Sequence, residues 1–356
     1  LAYVADHSAG LNIINVSDPA NPQSVGAVDT PSYAFRVNLY GDYAFVADWQ
    51  SGLQIIDISD PKAPFIAATY DTSGYAFGVY TIAGRAFVAD NQRGLLTIDT
   101  GDLDNLRVTG AYDTPGFAFG VTVSGAFAFI PDGYYGLQII DISEAGRPQY
   151  VSALPCRDFA AGLFRDGDYI YLADSGAGLS IIDTSKPEAP FEVGVLDTAG
   201  NAYGVFVRGD YAFVPDYDNG LQIVDVSDRS KPVLLAGIDT PGYARGVFVQ
   251  EKFAYVADYD GGLQIVDISD PQAPQPVGHC TLPGAARGVY VAGGFAYVAA
   301  DKKGLQIVDV SDPTLPFVVS SFDTRGYANS VFIKDQRAFV SDSVTGLVMV
   351  DVSDAA

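Results

Sequence analysis

Residues 246–270 read Gly-Val-Phe-Val-Gln-Glu-Lys-Phe-Ala-Tyr-Val-Ala-Asp-Tyr-Asp-Gly-Gly-Leu-Gln-Ile-Val-Asp-Ile-Ser-Asp. The stretch contains three short runs of β-branched and aromatic residues, each bounded by Gly or Asp, and such runs predict β-strands joined by tight turns. A fourth run, at 233–238, precedes a turn of sequence Asp-Thr-Pro-Gly-Tyr-Ala at 239–244. The unit therefore predicts four strands, with no room for a helix of ordinary length.

This unit repeats along the whole chain without insertion or deletion. A Gly-Leu step recurs every 42 residues, at Gly10, Gly52, Gly94, Gly136, Gly178, Gly220, Gly262, Gly304 and Gly346. Four strands per unit at a constant period of this length predict the blades of a β-propeller. No linker, charge block or low-complexity segment divides the chain, so we expect residues 1–356 to form one all-β domain.

The number of blades does not follow directly from the repeat, because the strands do not divide evenly. The second and third strands of the unit occur nine times and the other two occur eight times, which makes 34 strands. The first hairpin, at 3–16, and the last, at 338–352, match the same consensus and would compete for one position in an eight-bladed ring. We therefore favour nine blades, with eight as the alternative. Either number leaves an unpaired strand edge that can accept a strand from another copy.

Charge and composition exclude several classes of partner. The chain has 43 acidic and 20 basic side chains, a net charge of −23, which disfavours nucleic acid and anionic lipid. Its apolar runs are no longer than strands, so we expect no membrane insertion. Cys156 and Cys280 lie about three units apart, which favours free or intermolecular thiols. The chain begins at Leu1, without Met and inside a repeat, which is compatible with an upstream signal segment or further strand and does not decide whether one exists.

A family resemblance follows from the third strand of the unit. Its sequence is Leu-Gln-Ile-Val-Asp-Val-Ser-Asp at 221–228, with counterparts beginning at 53, 137, 263 and 305. This motif resembles the LVIVD repeat of bacterial and archaeal proteins, and the resemblance covers essentially the entire chain. It implies a β-propeller in a secreted or cell-surface protein, often one without an assigned activity. The fourth repeat departs from the pattern, with Pro-Cys-Arg-Asp at 155–158, and the third lacks Ser-Asp-Pro at 101–103.

An aspartate ends the second strand in all units but one, where Ala300 replaces it. A residue present in nearly every blade is not a single catalytic group, and we interpret it as the cap of an Asx turn in an Asp-x-x-x-Gly loop. Cation binding is the alternative, because this loop and the turn into the next blade should lie on one face. Alternating carboxylates before a glycine suit Ca²⁺, although these loops lack the distal Glu of a usual calcium loop. The candidate calcium ligands are Asp216, Asp218, Asp258 and Asp260, with Asp197 and Asp239 in the neighbouring turns.

The start of the first strand differs from blade to blade, and such asymmetry indicates where a ligand binds. The equivalent residues there are Phe35, Phe77, Phe119, Ala161, Tyr203, Arg245, Arg287 and Asn329. Arg245 and Arg287 are the candidate ligand-binding residues, a positive patch at the channel mouth that can hold a carboxylate or sulfate, and ion pairs to the neighbouring aspartates are the more economical explanation. An aromatic fringe of the kind found at interfaces and sugar-binding faces is expected on the same face. It consists of Trp49, Tyr134, Tyr135, Tyr217 and Tyr259. For the alanine that recurs in the turn before this strand, we favour ordinary small-residue packing.

No catalytic motif is present. His7 and His279 are the only histidines and occupy different repeat positions, which argues against a zinc site or a Ser-His-Asp relay. We expect a non-enzymatic, secreted or surface propeller that assembles with itself, with Ca²⁺ as a candidate stabiliser and a surface glycan or protein as a further partner. A propeller that recognises a glycan or small acid at the channel mouth is the alternative, and a polysaccharide lyase or hydrolase comes third.

Overall fold

The chain folds into antiparallel β-sheets arranged as the blades of a β-propeller. A computed structural model describes residues 2–7, 11–15, 23–32, 34, 36–60, 63–82, 84–144, 146–323, 328–334, 337–342 and 345–351. The first three strands are β1 (Ala2–His7), β2 (Leu11–Asn15) and β3 (Gln23–Val28). They belong to a sheet that also contains the last three strands and is described below.

Seven sheets of four strands follow in chain order, and we number them blades 1 to 7. Blade 1 contains β4 (Arg36–Tyr40), β5 (Tyr43–Ala47), β6 (Leu53–Asp57) and β7 (Phe65–Tyr70). Blade 2 contains β8 (Gly78–Ile82), β9 (Arg85–Ala89), β10 (Leu95–Asp99) and β11 (Arg107–Tyr112), with a 3₁₀ turn at Leu103–Asn105. Blade 3 contains β12 (Thr122–Ser124), β13 (Phe127–Pro131), β14 (Leu137–Asp141) and β15 (Gln149–Leu154). Blade 4 contains β16 (Gly162–Asp166), β17 (Tyr169–Ala173), β18 (Leu179–Asp183) and β19 (Phe191–Leu196).

The same order continues in the second half of the chain. Blade 5 contains β20 (Phe206–Arg208), β21 (Tyr211–Pro215), β22 (Leu221–Asp225) and β23 (Val233–Ile238). Blade 6 contains β24 (Gly246–Gln250), β25 (Phe253–Ala257), β26 (Leu263–Asp267) and β27 (Gln275–Cys280). Blade 7 contains β28 (Gly288–Ala292), β29 (Phe295–Ala299), β30 (Leu305–Asp309) and β31 (Phe317–Phe322). The last strands are β32 (Ala328–Lys334), β33 (Arg337–Asp342) and β34 (Thr345–Asp351).

The two ends of the chain meet in one six-stranded sheet, with the order β3-β2-β1-β34-β33-β32. Strand β1 pairs antiparallel with β34, where Asp6 lies opposite Gly346 and His7 opposite Thr345. The described strands thus form eight sheets, and the preference for nine blades is not confirmed. The reason is that the first and last hairpins, which match the same consensus, pair with each other and do not form separate blades.

The core lies between neighbouring blades, because the second and third strands of each blade are buried on both faces. In blade 5, Leu221, Ile223 and Val224 have no exposed surface. The first two pack in one cluster with Val249 and Val256 of blade 6. Apolar residues on both faces of a strand are what a sheet stacked between two others requires, so this prediction is confirmed.

Candidate functional site

The loops at one end of the propeller are joined blade to blade, and this end forms the mouth of the central channel. We call the loop between the second and third strands of a blade its B–C loop, and the segment that leads to the next blade the crossover. Trp49 in the B–C loop of blade 1 exchanges two backbone hydrogen bonds with Ala76 in the following crossover, with N···O distances of 2.9 and 3.2 Å. Equivalent pairs occur at 91/118, 133/160, 175/202, 217/244, 259/286 and 301/328. The two kinds of loop lie on the same face, as predicted.

The recurring alanine of the crossover is therefore an inter-blade contact and not merely ordinary packing. Ala76, Ala118, Ala160, Ala202, Ala244 and Ala286 are fully buried at these pairs. Each alanine has a backbone partner in the preceding blade, so a larger side chain would push the B–C loop away. This corrects the preference for ordinary packing that the sequence suggested.

The aspartate at the end of the second strand fixes the same crossover from the other side. Asp48, which is fully buried, accepts hydrogen bonds from Thr30 Oγ1 at 2.7 Å and from the Ser32 N–H at 3.1 Å. The same bond from a threonine 18 residues upstream occurs at Thr72/Asp90, Thr114/Asp132, Thr198/Asp216 and Thr240/Asp258. We call each such pair a crossover clamp. The aspartate was predicted to cap a turn, but the turn that it caps is the crossover and not its own loop.

Burial changes the protonation of these carboxyl groups. It raises the pKa of Asp48 and Asp90 to about 7 and that of Asp132 and Asp216 to about 6, against the opposing hydrogen bonds from threonine. The pKa of Asp258 is raised for the same reason. A carboxyl group that loses water on burial favours its neutral form, so these aspartates keep their protons to a higher pH than exposed aspartates do.

The predicted calcium ligands are divided between these clamps and the surface. Asp216 and Asp258 are buried and bonded to threonine, whereas Asp218, Asp260, Asp197 and Asp239 are exposed. Asp197 accepts a hydrogen bond from the Ala199 N–H at 2.7 Å, as in an Asx turn. Within the described ranges, no three carboxylate, histidine or cysteine side chains form a group that could hold a metal ion. Calcium binding stays a prediction that this geometry does not favour.

Blade 7 lacks the clamp, and both of its members are replaced together. Leu282 and Ala300 stand where blade 6 has Thr240 and Asp258. Ala300 is fully buried, and Leu282 packs against the apolar cluster that includes Leu263. Thr281 also replaces the acidic residue of this crossover, and the B–C loop of blade 7 contains Lys302 and Lys303. The rim of the mouth is therefore less acidic at blade 7 than at blades 5 and 6.

The mouth opens into a cavity of about 620 Å³ at the start of the first strands. This volume lies within the range of roughly 300–1,000 Å³ typical of small-molecule sites. Its wall includes the predicted residues Arg245 and Arg287, together with Arg36, which sequence reasoning missed. We call Arg36, Arg245 and Arg287 the basic arc. They come from blades 1, 6 and 7.

The opposite part of the wall is aromatic. It contains Phe77, Phe119, Phe159 and Tyr203, from blades 2 to 5, and we call these four residues the aromatic arc. The ring of Phe119 lies 5.5 Å from that of Phe77 and 5.4 Å from that of Phe159, measured between centroids. Cationic and aromatic residues thus line different sectors of one cavity, and the two sectors meet where the Tyr203 ring contacts Arg245.

Glycine near the start of the first strand allows neighbouring blades to approach closely. The position that Arg36 occupies is glycine in blades 2 to 7. A Cβ on Gly246 would lie 3.0 Å from the Arg287 carbonyl oxygen, and one on Gly78 would lie 2.9 Å from the Gly120 Cα. The first strands of neighbouring blades therefore pack backbone to backbone. A single arginine in a series of glycines was the sequence signal for this residue.

Tyrosine rings hold the Arg245 side chain in place. Its guanidinium carbon lies 4.7 Å from the ring centroid of Tyr259, 5.2 Å from Tyr203 and 5.5 Å from Tyr217. The Arg245 Nε is buried and has no hydrogen-bond partner among the described residues. The guanidinium is thus positioned by ring faces, which leaves its hydrogen-bonding capacity to the terminal nitrogens.

The two tyrosines of the B–C loops adopt an unfavourable backbone conformation. Tyr217 and Tyr259 have φ values of +51° and +45°, in the left-handed region that bulky side chains avoid. Tyr217 stacks on Tyr243 with a centroid distance of 4.4 Å and an interplanar angle of 5°. The equivalent loop residues of blades 1, 2, 4 and 7 also have positive φ, so this conformation belongs to the repeated turn and does not mark a functional site.

Arg287 is more restrained than Arg245. Its Nε donates to Asp301 Oδ1 at 3.1 Å, and its guanidinium carbon lies 5.5 Å from the Tyr259 ring. The predicted alternative of an aspartate partner therefore holds for Arg287. No ion pair of Arg36 or Arg245 occurs within the part of the chain that the structure describes, so the basic arc keeps an excess of positive charge. Convergent arginines of this kind favour a carboxylate, sulfate or phosphate group.

Comparison with known proteins agrees with this repeat architecture. The model of the LVIVD repeat matches residues 1–30, 31–72, 73–114, 115–153, 162–198, 199–240, 241–281, 283–324 and 325–356. The chain belongs to the LVIVD-repeat family. No curated protein matches the sequence of this LVIVD-repeat protein. The repeated propeller fold supports a role as an interaction module.

Solved structures similar to this LVIVD-repeat protein show its fold alone, because their sequence identities are low. Sqt1 from Saccharomyces cerevisiae has a TM-score of 0.73 at 7% identity, with 98% of both chains covered. The computationally designed Ika8 protein has a TM-score of 0.71 at 8% identity, over 98% of this chain and 99% of that one. BamB from Moraxella catarrhalis has a TM-score of 0.69 at 12% identity, over 89% and 94%.

Other predicted features of the LVIVD-repeat chain have structural roles. The aspartate that ends the third strand caps the next turn, as at Asp57, whose Oδ1 accepts from the Ser59 N–H at 2.9 Å. Cys156 and Cys280 form no disulfide with each other in this chain, which leaves both of the predicted states, free or intermolecular thiols, open. In the aromatic fringe, Tyr134 and Tyr135 are exposed, whereas Trp49 stacks on Tyr75. Among the described residues, no helix is long and apolar enough to cross a membrane.

Proposed function

We propose that this LVIVD-repeat protein is a non-enzymatic interaction module that binds an acidic ligand at the mouth of its central channel. The observation that supports this function is the basic arc, three arginines that line one cavity in a chain of net charge −23. The surrounding protein lowers the pKa of Arg36 by desolvation, although the residue keeps exposed surface in the channel. A bound anion would compensate both the lost hydration and the repulsion among the three cations.

Titration calorimetry with a panel of small acids tests this proposal. The panel contains carboxylates, sulfate esters and uronic acids, so that it also covers the acidic glycans predicted from the sequence. Binding that weakens at least tenfold in Arg245→Gln supports the mouth as the site. The matched control is Arg208→Gln, because the Arg208 guanidinium bonds to the Glu251 carbonyl oxygen on the surface, outside the cavity. Equal loss in both variants, or no binding by any acid, would contradict the proposal.

Self-assembly is the second candidate function, and the outer rim of the blades supports it. The fourth strand of each four-stranded blade is a sheet edge, and an unpaired edge is a template for association. Its first residue is apolar and more than half exposed in four blades, at Phe65, Phe191, Val233 and Phe317. Sedimentation and electron microscopy over a range of concentrations test this candidate. A monomer at every concentration would refute it, and polymers that disappear in Phe65→Ser/Phe191→Ser would support it.

Calcium stabilisation remains a further proposal, supported only by the exposed carboxylates beside blades 5 and 6. A rise in Tm in calcium over EDTA that Asp218→Asn/Asp260→Asn abolishes would support it, since a ligand that binds only the folded state stabilises that state. An unchanged Tm would count against it.

We also propose a secreted or cell-surface location, which rests on the family resemblance. Fractionation of the native host with an antibody to the chain tests it, and recovery in the cytoplasmic fraction alone would contradict it.

A further inference from the structure

The arrangement of the cavity wall indicates which acids would bind, provided that the proposed acid-binding function holds. We infer that the ligand is a small aryl carboxylate, whose ring packs on the aromatic arc while its carboxylate meets the basic arc. An inorganic anion would need the arginines alone and would fill a small part of a cavity of about 620 Å³. The aromatic sector of the wall would then have no function.

The order of the blades carries the first step of the argument. Phe77, Phe119, Phe159 and Tyr203 come from four consecutive blades, and the arginines come from the remaining side of the ring. If the arginines and the aromatic residues alternated around the wall, the cavity would favour many kinds of ligand equally. Because they are grouped separately, the wall favours a molecule with one apolar end and one anionic end. The segregation is therefore a specificity feature that single residues do not reveal.

The depth of the cavity supports the same class of ligand. The wall continues along the first strands with Val247, Val289 and Val331, which lie two residues beyond the mouth positions of their blades. This apolar wall disfavours a sugar acid, because buried hydroxyl groups would lose their water without gaining partners. An aromatic ring has no hydroxyl groups that would lose water there, and it gains edge-to-face contact with Phe119.

The aryl ring of the ligand would not interfere with the contact between the arginines and the carboxylate. One group of rings, from Tyr203, Tyr217 and Tyr259, already covers the Arg245 guanidinium. The terminal nitrogens of a guanidinium form a planar fork that matches a carboxylate. The aryl ring would therefore pack on Phe77 and Phe119 across the cavity, and would not compete for the face of Arg245.

Calorimetry with three matched probes tests the inference: 3-phenylpropionate, butyrate without the ring, and 3-phenylpropanol without the acid. We expect 3-phenylpropionate to bind about tenfold more tightly than either of the others, since an aromatic contact and its burial are together worth about one such factor. Phe119→Leu should weaken 3-phenylpropionate about fivefold and leave butyrate unchanged. Phe77→Leu serves as the second variant if Phe119→Leu does not fold.

The outcomes separate this inference from the proposed function. If butyrate binds as tightly as 3-phenylpropionate and Phe119→Leu changes neither, the aryl inference is wrong while acid binding stands. If neither acid binds while another acid of the panel does, the aryl inference fails alone. If no acid of the panel binds, or Arg245→Gln leaves every affinity unchanged, the proposed function fails as well. N-acetyl-phenylalanine amide, which lacks the free carboxylate, should not bind, and tight binding of it would overturn the role of the acid.

Discussion

A crossover clamp should behave as a coupled pair, and blade 7 shows how it can be removed. Thr240→Leu would remove the hydroxyl that hydrogen-bonds to the buried Asp258, leaving that carboxyl with the Gly242 N–H at 2.9 Å. Asp258→Ala would leave the threonine hydroxyl and that N–H without their acceptor. A buried polar group without a partner costs about 1–3 kcal/mol, so each single variant should lower the free energy of unfolding by about 2 kcal/mol.

The double variant Thr240→Leu/Asp258→Ala reproduces the Leu282/Ala300 pair of blade 7. Because the threonine hydroxyl is then absent and only the Gly242 N–H lacks its acceptor, the loss of stability should be smaller than that of Asp258→Ala and smaller than the sum of the two single variants. The coupling energy should be about 1–3 kcal/mol, which is typical of residues in direct contact. Leu282→Thr/Ala300→Asp, which installs a clamp in blade 7, is the matched reverse experiment.

Denaturant unfolding, with reversibility verified, measures the coupling, and amide hydrogen exchange of residues 239–246 locates it. In the single variants this crossover should exchange faster, while the crossover at 197–202 should not change. Additive effects, with a coupling energy below about 0.5 kcal/mol, would refute the clamp as a paired device.

Three further predictions concern stability. The pKa of Asp48 is raised, so between about pH 4 and pH 7 the folded chain holds a proton that the unfolded chain has released. The stabilisation that this group contributes is therefore complete below about pH 4 and is lost as the pH rises through about 7. Melting curves should therefore show a lower Tm at pH 8 than at pH 5, and Asp48→Asn, which mimics the protonated group, should raise Tm at pH 8 only; an equal rise at both values would contradict the raised pKa. Ser73 has a φ of +59° where blades 1, 3, 6 and 7 have proline, and its N–H donates to Asp71 Oδ1 at 2.7 Å. Because proline fixes φ near −65° and has no N–H, Ser73→Pro should lower the free energy of unfolding by about 1 kcal/mol or more in denaturant unfolding, and an unchanged or raised value would contradict this loop conformation. Gly246→Ala should destabilise by about 1–3 kcal/mol, since its Cβ would press on the backbone of blade 7, and a neutral result in the same assay would show that the inner strands have room to move.

The strands and their burial could be predicted because the same sequence pattern recurs in every blade. Runs such as 263–267 are β-branched and bounded by glycine and aspartate, and no other element fits a unit of this length. The faces of the loops could also be predicted, since strand order alone places B–C loops and crossovers at one end. The absence of a disulfide between the two cysteines followed from the distance between the repeats that contain them.

The rest depended on contacts that a single unit does not encode. The shared consensus of the two terminal hairpins does not show whether they form separate blades or pair together, as β1 and β34 do. The aspartate of the second strand looks like a cap for its own loop, and its true partner, a threonine 18 residues upstream, becomes visible only in three dimensions. Arg36 interrupts a series of glycines at its position in the repeat. The sequence comparison was made only at the preceding position, that of Phe35, and therefore missed it.

A crystal structure with 3-(4-bromophenyl)propionate, recorded at the bromine absorption edge, would locate both ends of the ligand in one experiment. The bromine should give an anomalous peak beside Phe77 and Phe119, and the carboxylate should lie within hydrogen-bond distance of Arg245. A bromine peak on the arginine side, or none at the channel mouth, would contradict the assignment of the two arcs as a single site for an aryl acid.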